Sequence, residues 1–262
     1  MPSLGIWDKA DIIGEKLADS KTFTRIVDFF SSNFTGIFLE KTENGYMKEL
    51  DGVEVEMTHQ FHFTDIIIHS PIEGYTKELD LENTDRLLDA GAFPGALAII
   101  AAKRGAEVIA LEPDPENADQ LRKNLELNNV QEKVEVVEVG LWKEKDQKSF
   151  ERDQALGMAS RIKEEAEITI QLDTLDSVTE EHGRPDLVKM DIEGAETEAL
   201  EGAEKTLEQT EPDFEIATYH LDEEGNKTYH EIEAKLSEKG YNVKTGFSRH
   251  LTTYASKNRE FN

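Results

Sequence analysis

From about Leu87 onward, short apolar runs alternate with stretches whose apolar residues recur every three or four positions. This alternation constrains the fold more than any other feature. Arg86-Leu-Leu-Asp-Ala, Glu107–Leu111, the run holding Val134, Val136, Val137 and Val139, Glu167–Leu172, Asp186–Met190 and Phe214–Tyr219 read as strands. Between them, Gly95–Arg104 reads as a helix, and Pro115 opens another at the position where a missing N–H costs nothing. Ala118, Leu121 and Leu125 share one helical face; Ala199, Ala203 and Leu207 share another; Tyr229, Ile232 and Leu236 mark the last. Strands alternating with helices mean βαβ units and a mainly parallel sheet with helices on both faces. Tyr241–Lys244 and Leu251–Ala255 follow one another with no helix between, so one of them is expected to run antiparallel as an edge.

Residues 1–80 are patterned differently and are expected to form an appendage, a substrate cap or a sheet extension, on the α/β domain at 81–262. Asp11–Phe30 reads as a helix. Ile37-Phe-Leu, Val53-Glu-Val and Ile66-Ile-Ile read as short strands, with hairpin signals at Asn44-Gly45 and Asp51-Gly52. The expected result is a helical lead-in followed by a small antiparallel β appendage.

Composition narrows the chemistry. The 262 residues include no Cys, which excludes a disulfide framework, a thiolate zinc site and a cysteine nucleophile. The longest nearly apolar stretch, Ala90 to Ala102, is too short to span a bilayer. The first residues, with Asp8, Asp11 and Glu15, lack the basic and apolar regions of a secretory signal, so a cytoplasmic location is expected. The 56 acidic residues against 29 basic ones give a net charge of -27. The excess is spread evenly, as a halophilic, generally acidic proteome would show, where salt screens self-repulsion. Nucleic acid is not an expected partner: the largest basic cluster is Lys143, Lys145 and Lys148, interrupted by Glu144 and Asp146.

Three segments carry candidate chemistry. In Leu87-Leu-Asp-Ala-Gly-Ala-Phe-Pro-Gly, Asp89 ends a strand, and Gly91 and Gly95 frame the turn into a helix. Glycines let backbone approach a ligand, and the acidic residue suits a cationic one. Glu112 ends the next strand about 20 residues on, where a carboxylate can accept both hydroxyls of a ribose. In Asp186-Leu-Val-Lys-Met-Asp-Ile-Glu-Gly-Ala-Glu196, the residues Lys189, Asp191 and Glu193 alternate at period two and so share one face of an extended strand end. A structural ion pair closing that loop is the competing reading. His220 ends the strand after Asp191's and would titrate near neutrality. Asp173 and Asp176 read as caps for the helix after Leu172.

Taken in order, Asp89-Ala-Gly-Ala…Gly95, Ala110-Leu-Glu-Pro, Leu121-Arg-Lys-Asn-Leu…Leu127-Asn-Asn, Leu172-Asp-Thr-Leu-Asp and the Lys189–Glu196 block resemble the FkbM family of S-adenosylmethionine-dependent methyltransferases over roughly residues 85–220. The resemblance implies a Rossmann-like seven-strand methyltransferase sheet. It also implies O-methylation of a hydroxyl on a small molecule, sugar or lipid. S-adenosyl-L-methionine would be held by Asp89, Gly91, Ala92, Gly95, Glu112, Pro113 and Gly140. The family commonly has Asn and a small residue where Phe93-Pro94 stand here; Pro94 could start the helix. A likeness to archaeal tRNA guanine-N1 methyltransferases also exists around Glu112 to Asn129, but Asp191-Ile-Glu-Gly replaces the Asn-Leu-Pro-type motif they need. A relic that binds cofactor without transfer is the remaining alternative.

The catalytic assignments follow from strand order. His220 is read as the base, Asp191 and Glu193 as orienting groups, and Lys189 as the side chain that holds those carboxylates. No metal is assigned, although two carboxylates and a His would suit a hard or borderline cation. The charge yields a test of its own. Screening shortens from about 10 Å at 0.1 M salt to about 3 Å at 1 M, so the melting temperature is expected to rise between low and molar KCl. A fall, measured by circular dichroism, would contradict the self-repulsion reading.

Overall fold

A computed structural model describes residues 40–50, 52–58, 80–151, 161–162, 166, 168–220, 227–247 and 251–261. The expected helix at Asp11–Phe30, the pieces at Ile37 and Ile66, and His59, His62, His69 and His250 lie outside these residues.

The strands are β1 (Glu40–Lys41), β2 (Gly45–Leu50), β3 (Val53–Thr58), β4 (Arg86–Ala90), β5 (Glu107–Leu111), β6 (Val134–Val137), β7 (Gly140–Leu141), β8 (Asp146–Glu151), β9 (Arg161–Ile162), β10 (Ile168–Asp173), β11 (Leu187–Met190), β12 (Asp213–Ala217), β13 (Asn242–Phe247) and β14 (Leu251–Ser256). The α-helices are α1 (Ala96–Arg104), α2 (Pro115–Leu127), α3 (Leu175–His182), α4 (Glu196–Glu201) and α5 (Tyr229–Glu238).

A seven-stranded sheet runs in the order β13-β14-β12-β11-β4-β5-β6. Strands β6, β5, β4, β11 and β12 pair in parallel, and β14 runs antiparallel to both β12 and β13. The antiparallel strand is therefore not the edge: β13 is, and β14 is inserted beside it. All six residues of β14 are buried, which suits an interior strand.

Alternation along the strands builds two cores. Leu87, Val108, Ala110, Val134 and Leu187 face α1 and α2, and Leu88, Ala90, Ile109, Leu111, Val188, Met190 and Ile216 pack with α3, α4 and α5. Ala199, Ala203 and Leu207 are all buried as expected, but not on one helix. Helix α4 stops at Gly202, where a side chain would collide with the Trp142 carbonyl, and a π-helical turn over Thr206–Thr210 carries the chain on. Strand β10 belongs to a separate four-stranded sheet, in the order β7-β10-β8-β9. Thr174, rather than either neighbouring Asp, caps α3 by accepting from Ser177 N; Asp176 instead accepts from the N–H groups of Lys205 and Thr206.

Strands β1, β2 and β3 form an antiparallel sheet, with Leu50 paired to Val53 across the second predicted hairpin signal. Leu50, Val55 and Met57 of this sheet enter the core of α1 and α2. The outer edge of β3 is read by two asparagines four residues apart, Asn124 on α2 and Asn128 capping its end. Asn128 accepts from Glu56 N and donates to its carbonyl, and Asn124 accepts from Thr58 N at 3.1 Å and donates to the Pro94 carbonyl at 2.9 Å. An edge strand needs partners for such groups. Asn124→Ala removes them from a fully buried position and is expected to cost about 1–3 kcal/mol, read from denaturant unfolding.

Candidate active site

The turn between β4 and α1 is shaped by two residues with left-handed backbone, Gly91 at φ 73° and Gly95 at φ 105°. A Cβ at Gly91 would collide with the Asp191 carbonyl, so the turn lies directly on the end of β11. Gly91 N and Ala92 N both donate to the Leu111 carbonyl, which joins the turn to the end of β5 as well. Gly95 is the N-cap of α1 and Pro94 lies outside the helix, against the expectation that Pro94 could start it.

Glu112 sits one residue beyond β5 and is 5% exposed. Its carboxylate accepts from Asp114 N at 3.0 Å, from the Phe93 backbone and from the Asn117 side chain. Burial outweighs those bonds and pushes the carboxyl up to about 7. Phe93 thus contributes through its backbone. Gly140 lies against the next residue: a Cβ there would meet Pro113 Cβ at 3.6 Å and Leu172 Cδ2 at 2.8 Å. The structure therefore brings together Gly91, Ala92, Gly95, Glu112, Pro113 and Gly140 around the ends of β4 and β5.

Asp89 is placed differently from expectation. It is 1% exposed and its Oδ1 lies 3.0 Å from Lys189 Nζ. Lys189 Nζ also donates to the carbonyls of Ala90 at 3.2 Å and Gly91 at 2.9 Å. Lys189 thus holds Asp89 and the Gly-rich turn, and of the two carboxylates assigned to it from sequence, Asp191 acts on its charge. The two residues are directly paired across β4 and β11, and Glu215, wholly buried, is the register partner of Lys189 on β12. Burial pushes Asp89 up against the pull of Lys189; burial opposes the charge on Lys189, but Asp89, Asp191 and Glu215 hold its pKa above the ordinary lysine value.

Asp191 and Glu193 do not continue one extended face, because β11 ends at Met190 and Glu193 turns into the left-handed region at φ 57°. That turn folds the loop around His220. Glu193 Oε2 lies 3.5 Å and Asp191 Oδ1 3.8 Å from His220 Nε2, and Glu196 Oε1 lies 3.1 Å from Nδ1. Tyr219 OH donates to Asp191 Oδ1 at 3.1 Å. Burial alone would lower the imidazole, but Glu193, Glu196 and Asp191 override it and push His220 up to about 10. Near-neutral titration, expected for a base, is not what this environment sets. Burial also raises Glu193.

Glu196, Tyr219 and Glu215 were given no role by sequence reasoning. Glu196 had one local signal: it opens α4 and reaches back to accept from Ile192 N and Gly194 N, the orphan donors ahead of a helix. Glu215 had none, since only strand register places it beside Lys189. Lys189→Met would leave Asp89 buried and unpaired. It is expected to cost about 3–5 kcal/mol, read as a lower denaturant midpoint, and no change would show the pair to be dispensable.

The family described as Methyltransferase FkbM domain matches residues 89–243. A hexuronic acid methyltransferase of Haloferax volcanii is 31% identical over 144 residues, covering 54% of this chain and 58% of that protein, so the chain spans less than two thirds of this relative. The FkbM methyltransferase of Methylobacillus flagellatus superposes with a TM-score of 0.49 at 22% identity, over 66% of this chain and 43% of that one. An S-adenosylmethionine-dependent O-methyltransferase of Thermotoga maritima gives 0.45 at 15% identity, over 71% and 63%. With its Gly-rich turn, the acidic residue just past β5 and the Lys189–Glu196 segment all inside the matched residues, the chain belongs to the FkbM methyltransferase family.

Proposed function

We propose that this protein transfers a methyl group from S-adenosylmethionine to a hydroxyl of a sugar, with a hexuronic acid as the leading acceptor class. The observation that carries the reading is the adjacency of two sites. The Gly91 turn packs on the Asp191 carbonyl, so the group of residues around Glu112 and the carboxylate–histidine cluster share one wall. The acceptor class is suggested by the Haloferax relative's name.

The residues present fit the cofactor. Glu112 is a buried carboxylate beside a turn of backbone that leaves no room for side chains, an arrangement suited to ribose hydroxyls. When bound, S-adenosylmethionine supplies an electrophilic methyl group carried on a sulfonium. Asp89 and Lys189 brace the turn from within the sheet. Glu193, with 28% of its side chain exposed, is the most open carboxylate of the cluster and is assigned to take the proton of the acceptor hydroxyl. Asp191, set by Tyr219, and His220 orient that hydroxyl.

Incubation with labelled cofactor and either a hexuronic acid oligosaccharide, a neutral hexose oligosaccharide or tRNA tests the reading. Label is expected on the hexuronic acid, and label confined to tRNA would overturn it. Glu193→Gln is expected to lower turnover about 10²–10⁴-fold while S-adenosylhomocysteine still binds in calorimetry.

Glu112→Ala removes charge-assisted hydrogen bonds worth about 1.5–3 kcal/mol each and is expected to weaken cofactor binding tenfold or more. Affinity should also depend on pH. The ionised form of Glu112 accepts both hydroxyls and its free-state pKa lies at about 7. Binding is therefore strongest above pH 7 and weakens as pH falls through it. A flat calorimetric profile between pH 6 and 8 would remove Glu112 from the ribose site.

A further inference from the structure

From the loop after β11 and the end of β12, we infer a divalent-cation site formed by Asp191, Glu196 and His220, with Glu193 beside it. One ligand atom from each of the three can be chosen so that all lie within 4.8 Å of one another, the span of a single coordination sphere. Two carboxylate oxygens and one imidazole nitrogen suit a hard or borderline ion such as Mn²⁺.

A second observation points to an absent ligand. The His220 side chain is 10% exposed and Glu196 is wholly buried. Yet both ring nitrogens of His220 and Glu196 Oε2 lack a hydrogen-bond partner among the described residues. The carboxylates surround the ring at 3.1–3.8 Å without the alignment of hydrogen bonds. Buried polar atoms are normally satisfied, so three orphaned atoms in one cluster mark a place where something else binds. Glu196 is meanwhile anchored, since its Oε1 accepts from Ile192 N at 3.0 Å. Its placement is built into the loop.

Charge points the same way. Asp191, Glu193 and Glu196 outnumber the single imidazole even if it carries a proton. The inference extends the proposed function, and rests on it for the acceptor: a hexuronic acid is itself an anion and would be repelled from this cluster, whereas a divalent cation would reverse the local sign. Three protein ligands leave coordination positions for oxygens of a sugar, and a hydroxyl bound to such an ion loses its proton more readily.

The test is Mn²⁺ binding to the full chain, followed by calorimetry and electron paramagnetic resonance in molar KCl to quiet diffuse binding to the acidic surface. One saturable site is expected, weakened at least tenfold by Glu196→Gln, by His220→Ala and by Asp191→Asn. Circular dichroism and S-adenosylhomocysteine binding report whether each variant is folded. Asp191, 18% exposed, is the least buried of the three and keeps the test decisive if Glu196→Gln fails to fold. No saturable site at millimolar Mn²⁺, or unchanged affinity in the folded variants, would overturn the inference. The site and the function fail separately. Mn²⁺ bound at these residues without methylation of a hexuronic acid overturns the acceptor reading alone. Methylation that survives chelation, with no Mn²⁺ site, overturns the cation alone.

Discussion

The buried ion pair between Asp89 and Lys189 is the contact on which the site depends. It spans two strands whose order in the chain is a hundred residues apart. Such a pair repays its desolvation only when remaining donors are also satisfied, and Lys189 meets that condition by donating to the Ala90 and Gly91 carbonyls. The same ammonium therefore neutralises a carboxylate, joins β11 to β4 and sets the height of the Gly-rich turn. Glu215 on the other flank adds a second negative charge to the row. The charges that look like ligand contacts in the sequence are, in part, the frame that positions backbone for a ligand.

A division of labour follows along the ends of the parallel strands. At β4 and β5 the wall is mostly backbone and glycine, with the carboxylates of Asp89, Glu112 and Asp114 buried behind it. At β11 and β12 the wall is acidic side chains crowded around one imidazole. Asp191 belongs to both, its carbonyl against Gly91 and its carboxylate held by Tyr219. Ligand sites in open α/β sheets form beyond the carboxyl ends of strands because the loops there diverge, and here the divergence separates a half walled by backbone from one walled by side chains.

Most of the α/β order was legible before any coordinates. The Glu107–Leu111 strand is as read from its apolar run, Pro115 opens its helix as expected, and the helix read from Gly95 begins one residue later. The misreadings share a cause: periodicity reports which face is buried, not what it is buried against. Ala199, Ala203 and Leu207 pack together although Gly202 interrupts their helix. Strand β10 alternates like its neighbours yet pairs in another sheet. Leu251–Ala255 reads as a terminal strand yet lies inside the sheet, since pairing order is set by long-range register.

The sequence by itself determined the class of fold, the Gly-rich turn and the candidate residues Glu112, Asp191, Glu193 and His220, because strand period, glycine conformation and acidic residues at strand ends are local properties. Only the tertiary structure decided what those residues touch. It turned Asp89 and Lys189 toward each other, folded Glu193 back through a left-handed turn, and set Glu196 against His220. Those outcomes depend on burial and on contacts between strands distant in the chain. A side chain's charge state and partners belong to its surroundings, which a local pattern does not contain.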